Sequence, residues 1–182
     1  MKFEKELHDL FLMQQVYGTL FSLTNKLQIS GDQYFDGLTS RQFMTIVALL
    51  HLPKDEATIN NIARKLGTSK QNANRMIVSI EKLGYVTIVP SEKDKRATNV
   101  HLTATGKEKV TECSEAMVIF MADAFKKLDT SDLETLWSIL KKIYGFDGNE
   151  QDGFEEVSTA LTAEKEFEDA LLKKFAERRN EE

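Results

Sequence analysis

The chain contains little that would interrupt a helix: two prolines and nine glycines among 182 residues. Proline removes a backbone donor and glycine raises the entropic cost of ordering, so their scarcity predicts a mostly helical protein. One cysteine, Cys113, excludes an intramolecular disulfide framework and fits a reducing compartment. No apolar run reaches transmembrane length, and the opening MKFEKELHDL sets acids where a signal peptide needs a basic and then an apolar stretch. A cytoplasmic chain without a membrane partner is therefore expected. Enzyme signatures are missing too: there is no phosphate-cradling glycine loop, no nucleophile elbow and no convincing His–carboxylate pairing. His8, His51 and His101 lie far apart without ligand spacing, so neither metal nor cofactor is expected. Met13, Met44, Met76, Met117 and Met121 read as core filler. Cys113 reads likewise, because it falls in one stripe with Val110, Met117 and Phe120.

A net charge of −5 argues against a nucleic-acid partner only until the charges are mapped. Thr58 to Gly106 holds eight Lys or Arg against three acids, a surplus of five positive charges. Phe146 to Glu182 holds twelve acids against five bases, an excess of seven negative charges. The chain is thus a basic middle followed by an acidic end.

Apolar spacing divides it further. Residues 3–28 carry Phe3, Leu7, Leu10, Phe11, Tyr17, Leu20, Phe21 and Leu27 at helical intervals, ahead of Gly31. Thr39-Ser-Arg-Gln42 is a capping box opening a helix with Phe43, Ile46, Val47 and Leu50, which Pro53 stops. Ile59, Ile62, Ala63 and Leu66 mark a short helix closed by Gly67. Thr68-Ser-Lys-Gln71 reads as a second capping box, and its helix turns Ala73, Met76, Ile77, Ile80 and Leu83 inward before Gly84. Tyr85–Pro90 and Ala97–Leu102 are β-rich runs around the charged turn Ser91–Arg96, a hairpin. Two helical segments follow Thr103, as far as Gly145, and a last one is expected around Leu161, Phe167, Leu171 and Phe175.

Two short helices joined by a glycine turn and followed by a hairpin make a winged helix-turn-helix. The second helix shows Gln71, Asn74, Arg75, Val78 and Lys82 opposite its apolar stripe. Amides and guanidinium groups suit base edges in a major groove, while Thr68, Ser69 and Lys70 at the helix start suit phosphate. The turn supplies Lys93, Lys95 and Arg96 for the backbone or minor groove, with Asp94 placed to orient Arg96. A winged helix used only for protein contacts is the alternative; it would carry apolar or acidic residues on that face.

Residues 38–106 closely resemble the MarR family of bacterial regulators. The resemblance rests on INNIARKLGTSKQNANRMIVSIEKLGYV and on DKRATNVHLTATG, where Asp94, Arg96, Leu102, Thr103 and Gly106 follow the family's D-x-R…L-T-x-x-G pattern. It implies a mainly α fold with a small β-wing, divided as an N-terminal dimerisation helix and loop (1–37), a winged domain (38–103), C-terminal dimerisation helices (104–145) and an acidic extension (146–182). It further implies a homodimer on a pseudo-palindromic double-stranded DNA operator, acting as a repressor, with a small-molecule effector. Phe11, Tyr17, Phe21 and Phe43 are the aromatic candidates for an effector pocket. Family members end near Gly145, so the extension is a departure; its helix is expected to pack on the dimerisation helices rather than set its acids against the wing.

Replacing Arg96 by alanine should weaken binding to every DNA sequence alike. Asn74→Ala or Arg75→Ala should instead lower the specific-to-nonspecific affinity ratio, by ~1–3 kcal/mol for each well-formed bond to a base edge that the substitution removes. Competition titrations on specific and scrambled duplexes read both effects.

Overall fold

The computed structural model describes residues 3–91, 98–150, 154 and 165–181. Among them, seven helices and one hairpin follow in order: α1 (Glu4–Gly31), α2 (Ser40–Leu50), α3 (Ile59–Lys65), α4 (Lys70–Lys82), β1 (Val86–Pro90), β2 (Thr98–Leu102), α5 (Ala104–Ala124), α6 (Thr130–Tyr144) and α7 (Lys165–Asn180), with a 3-10 turn at Gly145–Asp147.

The core belongs to the middle of the chain. Ile46 of α2, Ile62 of α3, Ile77 and Ile80 of α4, Val100 of β2 and Val110 of α5 are the largest fully buried side chains. Burying a side chain of this kind stabilises the fold by roughly 1.5–3 kcal/mol. Caps decide where these helices begin. The Thr39 hydroxyl accepts from the Gln42 N–H while the Gln42 side chain accepts from the Thr39 N–H, the reciprocal box that fixes the start of α2. An equivalent box starts α6, with Asp129 and Asp132 in the two roles, a carboxylate pair outside the Ser/Thr…Glu/Gln pattern.

β1 and β2 pair antiparallel, with Val86 opposite Leu102 and Ile88 opposite Val100. The segment before α3 adds to this ribbon: Thr58 bridges Asn99, and the Val100 N–H donates to the Ala57 carbonyl at 2.9 Å. The hairpin is therefore sewn to the start of α3 as well as to α4.

The junction of hairpin and α5 brings two backbones unusually close. The Thr103 N–H donates to the Tyr85 carbonyl at 3.0 Å, and its hydroxyl donates to the Gly84 carbonyl at 2.7 Å. That same hydroxyl caps α5 by accepting from the Gly106 N–H at 3.0 Å. A Cβ on Gly106 would overlap the Tyr85 carbonyl oxygen and lie 2.9 Å from Leu102 Cδ1. This is the physical content of the L-T-x-x-G spacing: threonine ties α5 to the turn after α4, and glycine lets the two backbones meet.

α1 and α6 are different in kind. Of the 28 residues of α1, Gly31 alone is buried, and α6 buries none. α7 packs alongside α5. Its Phe167, Leu171 and Phe175 are half-buried, and basic residues near its end make the polar contacts. Arg178 holds Asp123 by two bonds (2.7 and 2.9 Å), Lys174 meets Glu115 at 2.5 Å, and Arg179 donates to the Leu128 carbonyl at 2.6 Å. Summed charge labels the extension acidic, yet its docked end carries the basic residues Lys174, Arg178 and Arg179. Leu161, expected on the same face, lies outside the described residues, as does the wing tip Lys93–Arg96.

Gly106→Ala should destabilise the protein by about 2 kcal/mol or more, since backbone blocks the added methyl and one element must shift. Urea unfolding followed by circular dichroism checks it.

Candidate nucleic-acid interface

The turn between α3 and α4 sets the position of α4. Gly67 adopts φ +60°, the left-handed conformation that glycine takes at least cost. Its N–H donates to the Arg64 carbonyl at 3.0 Å and the Thr68 N–H to the Ala63 carbonyl at 2.9 Å, a Schellman closure of α3. Because that closure uses the Thr68 backbone, the cap of α4 falls one residue later than the sequence pattern suggests. Ser69 is the N-cap, its hydroxyl accepting from the Asn72 N–H at 3.2 Å, and the expected Thr68–Gln71 box is replaced. The Thr68 hydroxyl instead accepts from the Asn72 side-chain amide at 3.4 Å.

α4 turns Ala73, Ile77 and Ile80 inward. Outward, Ser69, Lys70, Gln71, Asn72, Asn74, Arg75 and Lys82 are exposed, while Val78 is half-buried. The first acid on the helix is Glu81, and its carboxylate accepts from the Ile88 N–H at 3.1 Å, turned toward the hairpin. The first two turns thus present only amide, hydroxyl and cationic groups at the end where the helix dipole favours anions.

Asn72, which the sequence pattern does not single out, also belongs to this face. Its side-chain oxygen accepts from the Arg75 guanidinium, so Thr68, Asn72 and Arg75 form one polar chain along the first turns. The i, i+3 spacing of Asn72 and Arg75 is the signal that could have found it, but the residue sits on the flank of the face opposite the apolar stripe. Lys65, counted toward the basic segment, is 7% exposed and lies against the Phe154 ring, 5.7 Å from its centroid.

Behind α4 a cleft of about 560 Å³ lies between the winged unit, the end of α1 and the second half of α5. Phe43 lines it, but Phe11, Tyr17 and Phe21 do not; they stand 54, 75 and 67% exposed on α1. The four aromatic candidates are therefore not one site in the protomer. Met44, Met76, Met117 and Met121, expected as filler, are half-buried around the cleft. Arg41, Lys65 and Arg75 join the wall, with no carboxylate among the described lining residues. Asn72 and Arg75 thus belong both to the exposed face of α4 and to the cleft's rim.

Cys113 is 3% exposed, and burial pushes its thiol upward in pKa; Lys109, one turn earlier, pulls the other way with less effect. A thiol held protonated in this way is a poor nucleophile.

A helix-turn-helix, a paired hairpin sewn to both of its helices and an acid-free reading face define a winged helix-turn-helix protein. Residues 36–97 match the model of the MarR family. The chain is 25% identical over 158 residues to the transcriptional repressor MprA of Escherichia coli, a match covering 84% of this chain and 90% of MprA. Over 99 residues it is 29% identical to the transcriptional activatory protein BadR of Rhodopseudomonas palustris, covering 53% of this chain and 57% of BadR's own length. Its fold is shared with MepR of S. aureus, solved as a complex with DNA: TM-score 0.63 at 20% identity, covering 71% of this chain and 96% of that one. The relatives are regulators rather than enzymes, and their names carry opposite signs of regulation. No described helix is long and apolar enough to cross a membrane.

Ser69→Ala should cost ~1 kcal/mol of stability through loss of the α4 cap, and Thr68→Ala distinctly less. Thermal unfolding of the two variants separates the two cap positions; the reverse order would restore the Thr68 assignment.

Proposed function

We propose that this chain is a sequence-specific double-stranded DNA-binding regulator of transcription, acting as a homodimer on a pseudo-palindromic operator. The observation that carries the reading is the acid-free outer face of α4, exposed from Ser69 through Arg75 on either side of buried Ala73 and fixed by the Gly67 closure and the Ser69 cap. Gln71, Asn74 and Arg75 are assigned to base edges, with Thr68, Ser69 and Lys70 on phosphate. Asn72 holds Arg75 in place. Lys93, Lys95 and Arg96 of the wing are assigned to the backbone or minor groove, and Asp94 to orienting Arg96.

The homodimer is supported by the apolar surface left uncovered on α1 and α6. Leu7, Phe11, Tyr17 and Phe21, with Trp137, Ile139 and Leu140, are between 37 and 75% exposed. Apolar faces of this extent on two helices call for a partner, and a second copy supplies matching ones by two-fold symmetry. Phe11, Tyr17 and Phe21 are reassigned to that interface. Repression follows from occupancy of the operator. The effector would enter the cleft behind α4, whose methionine and phenylalanine walls and Arg41 and Arg75 side chains suit an anionic, largely apolar molecule.

Sedimentation equilibrium tests the assembly. The intact chain should sediment as a dimer, and Phe21→Asp or Trp137→Asp should shift it toward monomer. DNA affinity should fall about a hundredfold or more in those variants, because two linked half-sites no longer act together. A monomeric variant that binds the same duplex as tightly as the parent would overturn the dimeric reading.

A further inference from the structure

The first half of α5 packs into the winged core through Val110 and Cys113, and polar contacts fasten the helix at two further places, one near each end. The first is the Thr103–Gly106 junction at the helix start. The second lies near the other end of α5, roughly 25 Å away at the rise of an α-helix. There the Tyr34 hydroxyl, in the connection from α1 to α2, donates to Asp123 at 2.8 Å. The Tyr34 ring also meets Phe120 edge-on, with centroids 5.3 Å apart at 61°. The same connection is bound to the first turn of α2: the Ser40 N–H donates to Asp32 at 2.6 Å and its hydroxyl to the Gln28 carbonyl at 3.0 Å. Whatever fixes Tyr34 therefore fixes the entry into the winged unit.

Asp123 receives more than tyrosine. Arg178 of α7 grips it with Nε on Oδ1 at 2.7 Å and Nη2 on Oδ2 at 2.9 Å, the fork geometry that sets the plane of a carboxylate. Arg178 also bonds Glu181 at 2.6 Å, and Arg179 donates to the Leu128 carbonyl, so the end of α7 is itself held. The chain of contacts runs from the C-terminal helix through one carboxylate to the loop between α1 and the reading unit.

We propose that Arg178 and Asp123 are positioning residues for DNA recognition: α7 locks the attachment at the far end of α5, so that the winged unit does not tilt about its core contacts with Val110 and Cys113 and the separation of the two reading helices in the dimer is fixed. The core contacts of α5 end near Met117, and the attachment at Asp123 holds the helix beyond them, which limits tilting of the unit about the buried contacts. The C-terminal extension then acts on operator spacing and not on the reading of each half-site. This rests on the dimeric DNA-reading function proposed above.

The test uses the full chain and duplexes carrying the symmetric motif enriched from a random library, re-made with one base pair added or removed between half-sites. The intact protein should lose affinity steeply on both altered spacings. Arg178→Ala should reduce that penalty by about fivefold or more, with the dimer and the affinity for an isolated half-site unchanged. Tyr34→Phe, which removes one hydroxyl on the other side of Asp123, should reduce it similarly. The double variant should show no more than either single change, because both act through Asp123. Arg178→Lys, which keeps the charge without the fork, should restore the penalty in part. An unaltered spacing profile in Arg178→Ala and Tyr34→Phe would overturn the proposal, as would additive effects. If no symmetric motif is enriched at all, the functional reading has failed instead.

Discussion

Everything downstream of the reading helix hangs from the close approach of Gly106 to the Tyr85 carbonyl. α4 ends ahead of Gly84, the hairpin leaves and returns, and α5 begins where Thr103 ties back to the residues just after α4. A side chain at 106 would hold the two backbones apart, and the long helix would leave the winged unit along another line. The angle between the part that reads and the part that assembles is thus set by a close backbone approach, which tolerates less change than side-chain packing does. The cap of α5 shares the residues of that approach, since the Gly106 N–H donates to the Thr103 hydroxyl.

The reading helix depends on backbone geometry in the same way. Gly67 closes α3 with a positive φ, and the carbonyls satisfied there leave Ser69 as the first residue able to cap α4. The polar face that results carries its donors at the positive end of a helix dipole, and the helix's one acid is engaged by the hairpin. A net negative chain can in this way present a surface suited to a polyanion. Asn72 and Arg75 lie on both that surface and the cleft's rim, so the proposed effector would reach the groups proposed to contact bases directly.

What is legible in the sequence is local. Helix starts at Thr39 and Thr103, helix ends at Gly67 and Gly84, and the hairpin itself follow from residues within a few positions of each other. The cap at Ser69 is displaced from Thr68 because a Schellman closure and a capping box compete for the same residues, and pattern alone does not rank them. The Asp129–Asp132 box escapes notice because its chemistry, carboxylate for hydroxyl and carboxylate for amide, falls outside the usual motif. Long-range features are not legible. Tyr34 meets Asp123 across 89 positions and Arg178 meets it across 55. The methionines around the cleft look identical to core methionines until the void is seen. Phe43 and Phe11 share an aromatic type but not a place, since one belongs to the winged core and the other to the outer face of α1. Charge summed over the extension hides the basic residues at its docked end.

Central to all of this is the proposal that α4 reads a symmetric sequence in double-stranded DNA. Selection of bound duplexes from a random library, with affinities measured at two salt concentrations, tests it most directly. A two-fold symmetric motif should be enriched, and its binding should fall steeply with salt. Absence of any enriched motif, with weak binding that salt abolishes alike on all sequences, would contradict it.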